Sequence, residues 1–259
     1  MSIKNHILII DNGGENAKMV LSESDFLNYM YCPLKFVLGK STNTNRPTYN
    51  SLLHDAYNSY IKKIDLLEKQ NGINAFKREW DKACENNQSI ISTKRVIEGW
   101  GLLYGAYQYL EVSNVKFEDT SMSYRIEAPG SGVTLVGTLS PFIDRGNMFE
   151  ILVMSFSKTL PDRQYIDMKM KHTIDAYALK KLFGKDTVFK YHSAYLNQDM
   201  YTFRKEKDFK RLESSIKNIG KAIELNLIYP RESHACSTCL CKGLCKAWTG
   251  KEHENEVKQ

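Results

Sequence analysis

Cys236, Cys239 and Cys245 stand in a C-x2-C-x5-C pattern on a short, irregular stretch near the C-terminus. Three thiolates at that spacing can share one metal centre, and Gly243 leaves the backbone free to fold around it. A fourth ligand is required, and three sources are open: Cys241 inside the cluster, His234 just before it, or a distant residue delivered by the fold. Four thiolate corners suit either a [4Fe-4S] cubane or a tetrahedral zinc. The six cysteines could instead make three disulfides, but a chain of 259 residues has core enough without them, and four within ten residues point to metal.

The elements that must carry such a centre follow from periodicity. In 22–40, Ser22 and Ser24 are candidate helix caps, Phe26, Tyr29 and Met30 repeat at helical spacing, and Pro33 breaks the pattern. Leu52, Leu53, Ala56, Tyr60 and Ile64 mark a long amphipathic helix, followed by helices over 75–84 and 96–110, with Trp80 and Trp100 as core. The period then changes to two: 115–126, 133–143 and 148–157 read as an antiparallel meander joined by PGSG and DRGN turns. A helix over 164–183 stops at Gly184, strands follow over 188–196 and 200–203, and a basic helix over 209–227 precedes the cysteines. The expected organisation is an N-terminal extension (1–21), a helical region (22–114), an α/β core (115–230), the cysteine segment (231–248) and a loose tail (249–259).

Composition fits a folded chain, at 42% hydrophobic and 25% charged. No apolar run is long enough to span a membrane and the N-terminus lacks a signal-peptide pattern, so a soluble, cytoplasmic protein is expected, in a host's cytoplasm if virus-encoded. The Asn- and Lys-rich sequence would suit a phage or other mobile element. The net charge of +6 is modest, but residues 158–259 hold 20 basic against 13 acidic side chains, leaving 16 against 17 before them. The surplus therefore lies in the C-terminal part, where it can meet phosphates.

The segment Ser22-x-Ser24…Tyr29-x-x-Cys32-Pro33-x-x-Phe36, with the distal C-x2-C-x5-C, resembles the iron–sulfur branch of the PD-(D/E)XK nucleases, which includes AddB-type recombination nucleases and CRISPR-associated exonucleases related to RecB. The likeness extends over about 22–248. It implies a restriction-endonuclease-like α/β core, a mixed sheet flanked by helices, and a [4Fe-4S] cluster on Cys32, Cys236, Cys239 and Cys245 that staples the ends of the domain, with zinc as runner-up. Cys84 and Cys241 are then ordinary cysteines.

The resemblance also implies two carboxylates and a lysine around Mg²⁺ or Mn²⁺, because phosphodiester hydrolysis needs charge neutralisation and an activated water. At the matching positions stand Ser140, Ser155 and Ser157. Hydroxyls are poor ligands for hard cations, so the site reads as degenerate. His54 matches a histidine that can touch the metal in the family, while His172 falls near a usual glutamine. Asp144, Glu150 and Lys158 are fallback ligands, but Glu150 and Lys158 share strand parity with Met154 and Phe156, opposite Ser155 and Ser157.

The reading that results is a catalytically degenerate, cluster-stabilised nuclease fold that binds DNA or RNA, or scaffolds a larger recombination, repair or RNA-processing complex. The contacts expected are Lys158, Lys169, Lys171, Arg204, Lys205 and Lys207, with Lys180, Lys181, Lys190, Lys210 and Arg211 near them and Phe189, Tyr191, Tyr195, Tyr201 and Phe203 interleaved for stacking. The alternatives are a working metal-dependent exonuclease or endonuclease with displaced ligands, and a structural subunit that docks a protein.

Overall fold

The computed structural model describes residues 8–10, 18–38, 47–62, 72–88, 91–118, 122–233, 236–237, 239 and 241–249. Along the chain lie β1 (Leu8–Ile10), β2 (Lys18–Ser22), α1 (Glu23–Tyr31), α2 (Pro33–Leu38), α3 (Tyr49–Ile61), α4 (Gly72–Glu85) and α5 (Thr93–Val112). Then come β3 (Ser123–Glu127), β4 (Val133–Thr138), β5 (Ile143–Asp144), β6 (Met148–Ser155), α6 (Arg163–Met168), α7 (Met170–Phe183), β7 (Asp186–Ser193), β8 (Gln198–Phe203), α8 (Glu206–Glu224) and α9 (Lys246–Thr249). Among the described residues no helix is long and apolar enough to cross a membrane.

Two units divide the chain: 1–45, 124–137 and 210–259 in the first, 46–123 and 138–209 in the second. The first holds a sheet of order β1-β2-β4-β3, with β2 parallel to β4 from Met19↔Val133 to Ser22↔Val136. Ser22 ends β2 and caps α1, its Oγ accepting from the Asp25 amide at 3.0 Å, while Glu23 and Asp25 suit the positive end of the helix. Pro33 forces the preceding residue out of the helical region, so Cys32 is extended (ψ 112°) at the elbow between α1 and α2. Leu212, Ile216, Ile219 and Ile223 bury one face of α8. Gly220 lets that helix approach Val133, whose Cγ2 lies 2.4 Å from where a Cβ would stand.

In the second unit α3, α4 and α5 pack Leu53, Phe76, Trp80, Leu103 and Ala106 against Leu152, Met154 and Phe156. The sheet has order β5-β6-β7-β8, with β6 and β7 parallel from Met148↔Asp186 to Ser155↔Ser193, joined through α6 and α7. Phe183 of α7 packs on Phe149 with ring centroids 5.3 Å apart. Both faces of β6 are thus covered, which is why Ile151 and Leu152 are buried in succession.

Two expectations need correction. The meander is divided: residues 115–118 form no strand, and 133–143 breaks after Thr138, so that β3 and β4 lie in one sheet and β5 and β6 in the other. The break contains Ser140, tied to a helix by its side chain, and Pro141, which has no amide to offer a ladder. The helix over 164–183 is two helices, parted at Lys169, whose backbone is extended (ψ 111°). The described residues of 1–21 lie in β1 and β2. Gly184 does end α7 in the left-handed conformation, with φ 74°.

Candidate functional site

Ser140 follows the end of β4, and Ser155 closes β6 with the parity of Phe149 and Ile151, the side that α7 covers. The group that answers Ser140 is a carboxylate absent from the sequence reading. Asp175, on α7, is fully buried. Ser140 Oγ donates to its Oδ2 at 2.8 Å, the Ser140 amide to its Oδ1 at 3.4 Å, and Lys171 Nζ to Oδ1 at 2.8 Å. Lys171 also donates to the Thr138 carbonyl at 3.0 Å. The signal for Asp175 was an acidic residue inside an otherwise uncharged run, Thr173-Ile174-Asp175-Ala176-Tyr177, with a lysine four residues earlier.

Further positive charge gathers here. Lys169, half-buried at the start of α7, is held below the ordinary lysine range by burial, with Asp175 opposing and Lys171 adding to the effect. His54 meets Phe156 edge-on at 5.1 Å, and burial followed by the Lys169 charge lowers its pKa. His172 stacks on Phe189 at 4.3 Å and bonds the Tyr191 hydroxyl through Nε2. Its pKa is driven down to about 2, by burial first and then by Lys169, Arg204 and Lys171.

Arg204, expected as a surface contact, is instead buried. Its guanidinium donates to the Ile166 carbonyl at 2.8 Å, the Lys169 carbonyl at 3.2 Å and Thr173 Oγ1 at 3.0 Å, which ties the α6–α7 break in place and sets the stem of Lys169. Lys158 is exposed, 3.9 Å from Glu98. Lys205 and Lys207 are exposed, the latter in the first turn of α8.

The fallback carboxylates are engaged elsewhere. Asp144 is bonded by Lys185 at 2.6 Å and by the Gly146 amide, contacts that hold its carboxyl below the usual range. Glu150 pairs with Arg145 at 3.0 Å. Ser155 Oγ lies 3.5 Å from the Ser157 amide. Among the described residues the centre therefore offers a divalent ion one carboxylate with both oxygens already bonded, the Ser140 hydroxyl, and a Thr138 carbonyl already taken by Lys171. A divalent ion about 4 Å from the Lys171 ammonium would meet a repulsion of roughly 8 kcal/mol at an effective dielectric of 20. The donor set does not fit Mg²⁺ or Mn²⁺.

The first unit holds the other chemistry. A cavity of about 700 Å³ is lined by Cys32, Cys236, Cys239, Cys241 and Cys245, with Lys35, Arg231 and Lys242 among its other walls. The elbow at Pro33 delivers Cys32. The returning chain is fixed by Tyr29 Oη donating to the Leu227 carbonyl, the Leu34 amide to the Tyr229 carbonyl at 3.1 Å, and Arg231 Nη1 to the Met30 carbonyl at 2.9 Å. The Arg231 amide points at Cys32 Sγ at 3.5 Å and its carbonyl lies 3.9 Å from Cys236 Sγ, so one residue bridges the two thiols. Among the described residues, no three His, Cys, Asp or Glu side chains form a group that could hold a metal ion, so the thiols line the cavity without closing on a point. His234 lies outside the described residues, as does nearly all of the 249–259 tail, and Cys84 is buried in the helical core of the other unit.

The chain matches a candidate exonuclease of Eubacterium rectale with a TM-score of 0.56 and 10% identity, over 85% of this chain and 86% of that one. The fold is nuclease-like. A second structure, SSO0001, covers 90% of this chain and 87% of its own at 13% identity, with a TM-score of 0.44. No family model and no curated sequence matches the chain.

Proposed function

We propose that this is a nuclease-fold protein that grips nucleic acid without cutting it, and that a [4Fe-4S] cluster on Cys32, Cys236, Cys239 and Cys245 staples its first unit. One observation carries the first half: the buried carboxylate at the vacated centre is bonded to Ser140 and Lys171, an arrangement that neutralises it internally. The exonuclease to which the chain is similar supplies the substrate class. The lysines at positions 158, 169, 171, 205 and 207 supply charge for phosphates.

Thiols drawn from both sides of a span of about 200 residues, around a cavity far larger than one ion with bonds of about 2.3 Å, support a multi-atom cluster over zinc. Lys35, Arg231 and Lys242 on the walls would offset its negative charge. When bound, such a cluster supplies a structural clip.

The test uses anaerobically purified protein with end-labelled single-stranded and duplex DNA and RNA, in Mg²⁺, Mn²⁺ or EDTA. A retarded, intact band is the expected result. Metal-dependent shortening would overturn the reading in favour of an active nuclease, and the absence of any retardation would favour a subunit that scaffolds a nucleic-acid-processing complex through protein contacts. Iron and acid-labile sulfide in stoichiometric amounts are expected, and zinc in their place would overturn the cluster.

A further inference from the structure

Lys171 holds the position that decides how the vacated centre meets a phosphate. Its ammonium contacts a buried carboxylate oxygen of Asp175 at 2.8 Å and the Thr138 carbonyl at 3.0 Å, with Ser140 Oγ on the other carboxylate oxygen. Carboxylate and backbone carbonyl oxygens are ligand types a hard cation takes, and here both contact a nitrogen, while the hydroxyl bonds the other carboxylate oxygen. Lys171 is only 24% exposed at its side chain and Asp175 is not exposed at all, so the pair is built into the core. A charged buried carboxylate is costly unless paired and hydrogen-bonded, and the lysine one helical turn earlier on α7 provides the pairing charge.

We infer that Lys171 is the resident cation of this centre: it takes the seat of a divalent ion, and with Lys169 it receives a backbone phosphate without any metal. The phosphate half rests on the nucleic-acid reading above; the cation half does not. Metal loss and retained grip then have one cause, since the group that blocks Mg²⁺ is the group that replaces its charge. Lys171 is a binding and positioning residue, and no bond is made or broken by it.

The experiment compares the full chain with Lys171→Ala, Asp175→Asn and the double variant Lys171→Ala/Asp175→Asn. Mn²⁺ binding is followed by the loss of the free-ion electron paramagnetic resonance signal, and folding by circular dichroism. Wild type should take up no Mn²⁺ at this centre. Lys171→Ala, which uncovers the oxygen cage, should gain one site, at least about tenfold tighter than any in wild type. The double variant, whose buried amide carries no charge, should fold and lose that site. Mn²⁺ uptake by wild type that Asp175→Asn abolishes would overturn the proposal, and so would a folded Lys171→Ala that gains nothing.

Should Lys171→Ala fail to fold, Lys171→Gln keeps a donor beside Asp175. It should weaken DNA binding several-fold in EDTA, and unchanged binding would refute the phosphate role. Wild-type retardation of DNA should persist in EDTA and need no Mg²⁺, which as a counterion should if anything weaken it. Retardation that needs Mg²⁺ overturns the proposal, whereas no retardation under any condition overturns the nucleic-acid reading and leaves the Mn²⁺ result to decide the role of Lys171.

Discussion

Acidification should unfold this protein through His172 ahead of its carboxylates. The ring is buried between Phe189 and Tyr191, and its Nδ1 has no hydrogen-bond partner. Burial, then Lys169, Arg204 and Lys171, bring its pKa from 6.5 down to about 2. Between those values the unfolded chain binds a proton that the folded chain refuses, so stability falls as pH falls. The contribution is complete above about pH 6.5 and is lost progressively below it. At pH 4.5, two units under the unfolded value, the loss is about 2.7 kcal/mol, since each unit is worth about 1.36 kcal/mol. That is a large part of a typical stability of about 5–15 kcal/mol. The control is His172→Phe with Tyr191→Phe, which removes both bonding partners so that neither is left unpaired. Urea unfolding of both proteins at pH 7 and pH 4.5 isolates the term, because the other titrating groups are common to them. The variant should lose about 2.7 kcal/mol less than wild type across that interval, at constant m-value. Equal losses would refute the assignment of the acid sensitivity to His172.

Other outcomes follow from the same contacts. Gly99→Ala should destabilise by about 1–3 kcal/mol in thermal melts, because its Cβ would stand 2.4 Å from Trp80 Cζ2 and the indole is fixed by its bond to the Val96 carbonyl at 3.1 Å. Alanine is the better helix former by about 1 kcal/mol, so a stabilised variant would mean that the indole can move. Cys32→Ala should lower bound iron and the melting temperature together, by up to about 5 kcal/mol for a clip closing about 200 residues. Unchanged iron and melting would remove Cys32 from the ligand set. If Lys158, Lys169, Lys171, Lys205 and Lys207 each meet a phosphate, the affinity for single strands should fall with salt at a logarithmic slope of about −3.5, and a flat slope would exclude them.

The features legible in the sequence are those whose cause is local. Ser22 as a cap, Pro33 as a helix break and Gly184 as a stop each act within a few residues of themselves, and the structure has all three. The three helices of the aromatic core were legible because one face of each is continuously apolar. What escaped depends on partners distant in sequence. The strand over 18–22 has meaning only against 133–136, which pairs with it in parallel. The break at Lys169 is held by Arg204, on the far side of a helix and two strands. Asp175 on its own is one polar residue on a helix, and becomes a site only because the chain after β4 brings Ser140 onto it.

Ser140, Asp175 and Lys171 belong to one hydrogen-bonded unit, which bears on what would build a metal site here. A hydroxyl at position 140 can donate to Asp175, whereas a carboxylate there would face a second carboxylate across a hydrogen-bond distance, with one partly buried ammonium to balance two charges. Placing an aspartate at 140 while Lys171 remains therefore yields a competing acceptor for the lysine, not an ion site. Removing Lys171 while Ser140 remains opens the cage with a single charge in it, enough for weak binding and too little for the two carboxylates that hydrolysis uses. Only the paired change alters both the charge and the vacancy. Ser140, Lys171 and Asp175 consequently act together, since the two half-buried donors are what lets the carboxylate stay buried.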